Sequence, residues 1–199
     1  MKANRTSPSA LLVTSALILV PVLAQAHPGH GAAGFTHGLI HPLGGWDHLL
    51  AMFAVGLWAA QRGGRALWAI PAAFLGLMTL GGALGMAHVQ VPFVEQGILL
   101  SVLVLGVLIA AAVRLPLALG MAIVGLFALC HGLAHGAEMP ENAAGFAYGA
   151  GFVLATALLH TCGIAAGLMA KSVASRQGAP LVRFAGAAIA ISGVMLCIR

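Results

Sequence analysis

The chain has 199 residues, of which 61% are hydrophobic and only 7% are charged. A soluble domain of this length has too little interior to bury so many apolar side chains, so the composition excludes a soluble protein and predicts an integral membrane protein. The net charge of +5 does not indicate nucleic-acid binding, because most basic residues lie beside apolar stretches, where they orient membrane spans.

The first 26 residues have the organisation of a cleavable secretory signal peptide. The basic residues Lys2 and Arg5 precede a short apolar stretch, residues 10–23, which is followed by the small-x-small sequence Ala24–Gln25–Ala26. Cleavage there leaves His27 as the mature N-terminus, outside the cytoplasm. An uncleaved anchor helix is the alternative interpretation.

Residues 27–37 are predicted to form a short periplasmic tail before the membrane domain. The tail begins with His27, and His30 follows three residues later, so a free amine and two imidazoles lie close together and are candidates for capturing a metal ion. A tail with incidental histidines is the alternative.

Six apolar stretches follow, each near the length needed to cross a hydrocarbon core about 30 Å thick. Residues 38–199 are therefore predicted to form a six-helix transmembrane bundle, which makes the protein an all-α integral membrane protein. The predicted spans cover residues 38–61, 66–86, 95–113, 115–137, 143–170 and 181–198.

The charged residues between these spans alternate in sign along the chain. Basic residues follow the first, third and fifth spans, whereas Glu95, Glu138 and Glu141 lie in the other connections. Because basic loops stay in the cytoplasm, the pattern predicts that both ends of the mature chain are periplasmic, which agrees with signal cleavage. Arg199 alone departs from the pattern. The basic residues in question are Arg62, Arg65, Arg114, Lys171, Arg176 and Arg183.

The first predicted span carries polar residues that are costly inside a membrane unless they have a function. His37, His41 and His48 are spaced by four and seven residues, which places them on one face of a helix, with Asp47 about 80° away. Proline and glycines disfavour a continuous helix here. The first helix is therefore predicted to break near Pro42–Gly45, where irregular backbone is tolerated if it is buried in protein or lines a cavity.

A second polar group lies at the outer end of the fourth predicted span, in the sequence CHGLAHGAE. His131, His135 and Glu138 are spaced by four and three residues and share one helix face. His88, in the loop after the second span, is expected on the same side of the membrane, and His160 lies within the fifth span. For His88 and His160, a structural hydrogen-bonding role is the alternative.

Imidazole nitrogens and carboxylate oxygens are ligands for Ni²⁺, Co²⁺ and Zn²⁺. Two histidine clusters, each with its own carboxylate, predict a metal or ion role that the clusters share. The predicted metal-handling residues are His41, Asp47, His48, His131, His135 and Glu138, and the candidates for a further metal path are His37, His88, His160, His27 and His30.

Both clusters resemble the signatures of the HupE/UreJ-type nickel and cobalt permeases associated with hydrogenase and urease. The signature H-x5-D-H of that family is present from His41 to Asp47 and His48. A second signature, close to F-H-G-x-(A/V)-H-G-x-E, is present as CHGLAHGAE, with Cys130 in place of phenylalanine. The signal peptide and six spans fit as well, so the resemblance covers essentially the whole chain.

The resemblance implies passage of Ni²⁺, or of Co²⁺, across the bacterial inner membrane to supply metalloenzyme maturation. The metal is then the transported ion rather than a catalytic cofactor, and the protein is not an enzyme. The implied partners are a divalent metal ion and the lipid bilayer, with a second copy of the chain and cytoplasmic nickel chaperones as further candidates and no nucleic acid.

Energy for transport is not expected to come from ATP hydrolysis by this chain, because no phosphate-binding loop of the type G-x-x-x-x-G-K-(S/T) occurs in it. Facilitated diffusion, the membrane potential and proton exchange stay open. A membrane-embedded zinc hydrolase that uses the same histidines and aspartate is the main alternative function. A haem b protein with two histidine ligands and an accessory to a maturation complex are two further alternatives.

Overall fold

The computed structural model describes residues 32–139, 143–173 and 178–198, and within these ranges all regular secondary structure is helical. The predicted signal peptide and the two histidines of the tail, His27 and His30, lie outside the described residues. The helices are α1 (Ala32–Gly44), α2 (Trp46–Arg62), α3 (Ala66–Met86), α4 (Val94–Ala110), α5 (Leu117–Ala137), α6 (Ala143–Val173) and α7 (Gly178–Cys197).

The predicted break in the first helix is present, and it falls at Gly45. Helix α1 continues through Pro42 to Gly44, and Gly45 has extended backbone angles of φ −107° and ψ 124°. The axes of α1 and α2 differ by 83°. Helix α1 begins at Ala32, so the end of the stretch predicted as a tail is helical. The break brings His41, near the end of α1, close to the first turn of α2.

The helices α3, α5, α6 and α7 are each long and apolar enough to cross a membrane. The bent pair α1 and α2 passes the same test when it is taken as one span, which gives up to five spans. Helix α4 is apolar but has 17 residues, or about 26 Å at 1.5 Å per residue. The protein is therefore a multi-pass membrane protein that is all-α over the described residues, and the count of six crossings stays a prediction.

Helix α6 forms a continuous support for the broken first span. Its N-terminal half packs on α1, where a Cβ atom on Gly38 would overlap the backbone of Tyr148. Its C-terminal half packs on α2, where a Cβ atom on Gly56 would overlap the carbonyl group of His160. Residue numbers rise together in both contacts, so α1 and α2 both run in the same direction as α6. Glycine permits this backbone contact because it has no side chain.

Two further helix pairs complete the bundle. Helices α3 and α5 pack closely in parallel, with Gly81 and Gly85 against the backbone of residues 129–137. Helices α4 and α7 pack antiparallel, because Gly106 meets Ala190 whereas Gly186 meets Ala110. The core at the centre is filled by large, fully buried side chains, among them Trp58, Phe74, Met52, Ile70 and Leu105.

Charge separates the two ends of this bundle. Arg62, Lys171 and Arg183 lie at one end, which we call the basic end, where each contacts a backbone carbonyl group of a neighbouring helix or loop. The opposite end, which we call the histidine end, holds His41, His48 and His135. On α2, fourteen residues separate His48 from Arg62, which is about 21 Å along a helix.

Candidate metal centre

Three imidazoles from three helices meet at the histidine end. His41 comes from the last turn of α1, His48 from the first turn of α2 and His135 from the last turn of α5. One ring nitrogen of each lies within 4.8 Å of the other two. His48 and His135 are buried and His41 is partly buried. The predicted convergence of the first and fourth spans is therefore present in the fold.

His48 is held in a defined orientation by the residue that precedes it. Its Nδ1 lies 2.7 Å from Oδ1 of Asp47 and donates a hydrogen bond to this carboxylate, which also accepts a hydrogen bond of 2.9 Å from the backbone N–H of His48. A neutral imidazole that donates from Nδ1 carries its lone pair on Nε2. Metal-binding histidines commonly have this carboxylate partner, which orients the ring and raises its basicity.

The Nε2 atoms of His48 and His135 point directly at each other and lie within hydrogen-bond distance. Since His48 already donates from Nδ1, its Nε2 offers a lone pair to this contact. Two imidazole nitrogens that face each other are stabilised either by a shared proton or by a cation between the rings. The arrangement therefore fits the donor set of a late first-row divalent ion, for which imidazole is a preferred ligand.

His131 lies one turn deeper on α5 and adjoins the cluster without joining it. Its ring centroid is 5.2 Å from that of His48. Its Nδ1 donates a hydrogen bond of 2.8 Å to the backbone carbonyl of Phe127, which leaves the lone pair on Nε2. This Nε2 atom is buried and has no hydrogen-bond partner. His131 thus has the backbone-carbonyl version of the arrangement that Asp47 provides for His48.

The other predicted residues lie around or away from the cluster. The side chain of Glu138 is 69% exposed, and its Oε2 is 3.7 Å from Nδ1 of His135, an ion-pair rather than a hydrogen-bond distance. His37, on α1, is exposed and is not one of the three converging residues. His88 is exposed in the turn after α3, with a positive φ of 57°. His160 is fully buried deeper in α6.

Aromatic residues of α6 complete the wall of the site and were missed by sequence reasoning. Tyr148 and Phe152 both have ring centroids 5.8 Å from that of His41, and Phe152 also lies 4.8 Å from His135. Phe152 therefore packs against both imidazoles and Tyr148 against that of His41, so aromatic rings cover this side of the cluster. In the sequence, aromatic residues within an apolar helix are indistinguishable from ordinary core residues.

Apolar helices that can cross a bilayer, with imidazoles from the bent pair α1–α2 and from α5 gathered at one end, define a multi-pass membrane protein with a candidate site for a metal ion. The profile of the HupE / UreJ protein family matches residues 15–196. A curated relative, Protein HupE from Rhizobium leguminosarum bv. viciae, is 41% identical over 190 residues, which cover 96% of this chain and 98% of the relative. The chain belongs to the HupE/UreJ family, which confirms the resemblance of its motifs. No solved structure matches the chain significantly.

Proposed function

We propose that the protein is an inner-membrane permease that moves a divalent transition-metal ion, Ni²⁺ or Co²⁺, from the periplasm to the cytoplasm. The observation that carries this proposal is the convergence of His41, His48 and His135 from three helices at the histidine end. Buried imidazoles that face one another are expensive in a membrane unless a ligand uses them. Within the HupE/UreJ family, the ion would supply the maturation of hydrogenase or urease.

The proposed capture site opens toward one end of the bundle. Asp47 is 23% exposed and Glu138 is 69% exposed, whereas His48 and His135 behind them are buried and His41 is partly buried. Two carboxylates at the mouth raise the local concentration of cations. Three neutral imidazoles behind them then replace the water that the ion loses on entering the protein.

We propose six crossings, with the basic end in the cytoplasm and the histidine end in the periplasm. Alternating crossings require the first and fifth spans to be parallel, the second and fourth to be parallel, and the third and sixth to be antiparallel. The packing of α2 on α6, of α3 on α5 and of α4 on α7 has these directions. Basic residues at the opposite end from the histidines agree with cytoplasmic loops. The mature chain would begin at His27 after signal cleavage.

The membrane potential is sufficient to drive inward movement of the ion. A dication that crosses a potential of 100 mV gains about 4.6 kcal/mol, twice the value for a single charge. Imidazole ligands suit such a path because the ion has to be released as well as bound. The zinc-hydrolase alternative is not favoured, because the HupE/UreJ family is associated with nickel and cobalt uptake.

Uptake of radioactive nickel into proteoliposomes tests this proposal. The full chain, purified and reconstituted, should take up Ni²⁺ faster when the inside is made negative, and unlabelled Co²⁺ should compete whereas Mg²⁺ should not. Cys162→Ala is a matched control, since this side chain is exposed on α6 and lies outside the site. Uptake no faster than in empty liposomes, despite a folded protein and an imposed potential, would reject the permease.

A further inference from the structure

One helical turn below the three-histidine cluster lies a second group of buried ligand-type atoms. His131 and His160 are 0% and 1% exposed. Nε2 of His131 and both ring nitrogens of His160 are buried and have no hydrogen-bond partner. Both rings contact the same side chain, Phe74, with centroid distances of 5.6 Å for His131 and 5.0 Å for His160. Buried polar atoms of this kind are nearly always satisfied in folded proteins, so three such nitrogens together point to a ligand.

Two thioethers lie near the same stretch of α6 as His160. The hydroxyl group of Thr156, one turn before His160 on α6, is 3.3 Å from Sδ of Met52 and 3.7 Å from Sδ of Met78. Met52 is fully buried, and Met78 is 3% exposed. Thioether sulfur is a soft ligand that accompanies imidazole in sites for late transition metals. The atoms around the hydroxyl group are therefore potential ligands rather than ordinary core carbon.

Two helices of the outer cluster, α2 and α5, also contribute to this deeper group. On α2, Met52 follows His48 by one turn toward the basic end. On α5, His131 lies one turn below His135 in the same direction. His160 is packed against α2 at Gly56, where the backbones touch. On α2 and α5, side chains of the deeper group therefore follow those of the outer cluster by one helical turn. The ring of His131 also contacts that of His48.

We propose that His131 and His160, with the thioethers of Met52 and Met78, form an inner binding station for the divalent ion. This inference rests on the proposed function, because the station receives the ion from His41, His48 and His135. Nε2 of His131 and one ring nitrogen of His160, which are buried without hydrogen-bond partners, are its nitrogen ligands. Sulfur ligands distinguish the inner station from the outer cluster, whose ligands from the protein are imidazole nitrogens.

Binding of Co²⁺ to the purified full-length protein in detergent tests the inner station independently of transport. The wild-type protein should bind two Co²⁺ ions per chain, and X-ray absorption should detect sulfur beside nitrogen in the cobalt shell. His160→Asn should bind one ion, and the paired change Met52→Leu with Met78→Leu should remove the sulfur signal. Cys162→Ala, an exposed change two residues from His160, should leave both readouts unchanged. Uptake by His160→Asn should fall by about tenfold or more.

The outcomes separate this inference from the proposed function. A wild-type protein that binds one ion without sulfur overturns the inner station, even if the His160 variant does not fold. A folded His160→Asn variant that binds and takes up the ion as the wild-type protein does would also overturn the inner station. The permease would be left intact. Two bound ions with sulfur ligation but no uptake by the wild-type protein would support the station and reject the permease.

Discussion

At the basic end of the bundle, polar side chains donate hydrogen bonds to backbone carbonyl groups, whereas at the histidine end they face one another. Lys171 donates to the carbonyl groups of Ala60 and Gln61, where α2 ends. Arg62 donates to the carbonyl group of Leu115, in the loop between α4 and α5, and Arg183 donates to that of Ala110, the last residue of α4. The contacts with Ala60, Gln61 and Ala110 satisfy carbonyl groups that helix ends leave without partners.

The two ends also differ in the buried side-chain atoms that have no hydrogen-bond partner. At the basic end, Nε1 of Trp58 and Nη1 of Arg62 are buried without partners, and both are N–H donors, although the side-chain oxygen of Gln61 is an unpaired acceptor. The guanidinium group of Arg62 also lies 5.2 Å from the ring of Trp58, a cation–π contact. From the histidine end inward, the unpaired atoms are imidazole nitrogens of His131, His135 and His160.

The difference indicates which polar residues hold the fold together and which are available for a ligand. Donors that meet backbone acceptors are already compensated, so their role is structural. Imidazoles that meet other imidazoles gain compensation only from a proton or a cation. Substitutions at the two ends should therefore affect different measurements, namely stability at the basic end and metal uptake at the histidine end.

The largest effect is expected for His48→Ala and His135→Ala. Each change removes one of the two nitrogens that face each other in the cluster, and uptake of Ni²⁺ should fall to the level of empty liposomes. Membrane insertion should stay normal, because removal of a polar group from a membrane does not disfavour insertion. Uptake and protein quantity in membranes are measured together. Normal uptake by either variant would mean that the cluster is structural.

Asp47→Asn should have the next largest effect. The amide oxygen can still accept the hydrogen bond from Nδ1 of His48, but the negative charge that raises the basicity of the ring is lost. Partners of metal ligands typically contribute about 10–100-fold to affinity or activity, so we expect a loss of that size in uptake at low Ni²⁺ concentration. A loss as complete as that of His48→Ala would instead make Asp47 a direct ligand.

Glu138→Gln should have a smaller effect, confined to capture. The side chain is exposed and lies beyond hydrogen-bond distance of His135, so it acts through its charge at the mouth. The KM for Ni²⁺ should rise by a few-fold and the maximal rate should stay the same. The effect should shrink at high ionic strength, because salt screens an exposed charge. A salt-independent loss of maximal rate would place Glu138 among the ligands.

Lys171→Met should leave uptake per folded molecule unchanged and reduce stability. The change removes hydrogen bonds to two carbonyl groups at the end of α2, and the expected loss of unfolding free energy is about 1 kcal/mol. Thermal unfolding in detergent measures this loss of stability. Arg65→Met is the control for removal of a basic residue. Reduced uptake by fully folded Lys171→Met would show that the basic end takes part in transport.

The sequence marked the polar residues of the histidine end but not which of them converge or how they divide their roles. Spacing and charge marked His41, Asp47, His48, His131, His135 and Glu138 because such residues are rare in or beside apolar spans. Their convergence across helices depends on tertiary packing. The partnership of Asp47 with Nδ1 of His48 depends on the first turn of α2, which begins only after the backbone changes direction at Gly45.

Other features had no distinct signal in the sequence. Met52, Met78 and Thr156 look like core residues of apolar helices, and only their contacts with one another show a polar group in the interior. Glu138 shares a helix face with His135 in the sequence pattern, but α5 ends at Ala137. The carboxylate therefore follows the last helical residue and is exposed rather than directed into the cluster.

X-ray absorption of the purified protein loaded with one Ni²⁺ per chain tests the central claim most directly. We predict a first shell of nitrogen and oxygen at about 2.0–2.2 Å, in the range of metal–imidazole bonds, with the outer-shell scattering typical of imidazole. His48→Ala and His135→Ala should each reduce this scattering, and Lys171→Met should not. An unchanged spectrum in both histidine variants would contradict the assignment of the converging imidazoles as the site that binds the transported ion.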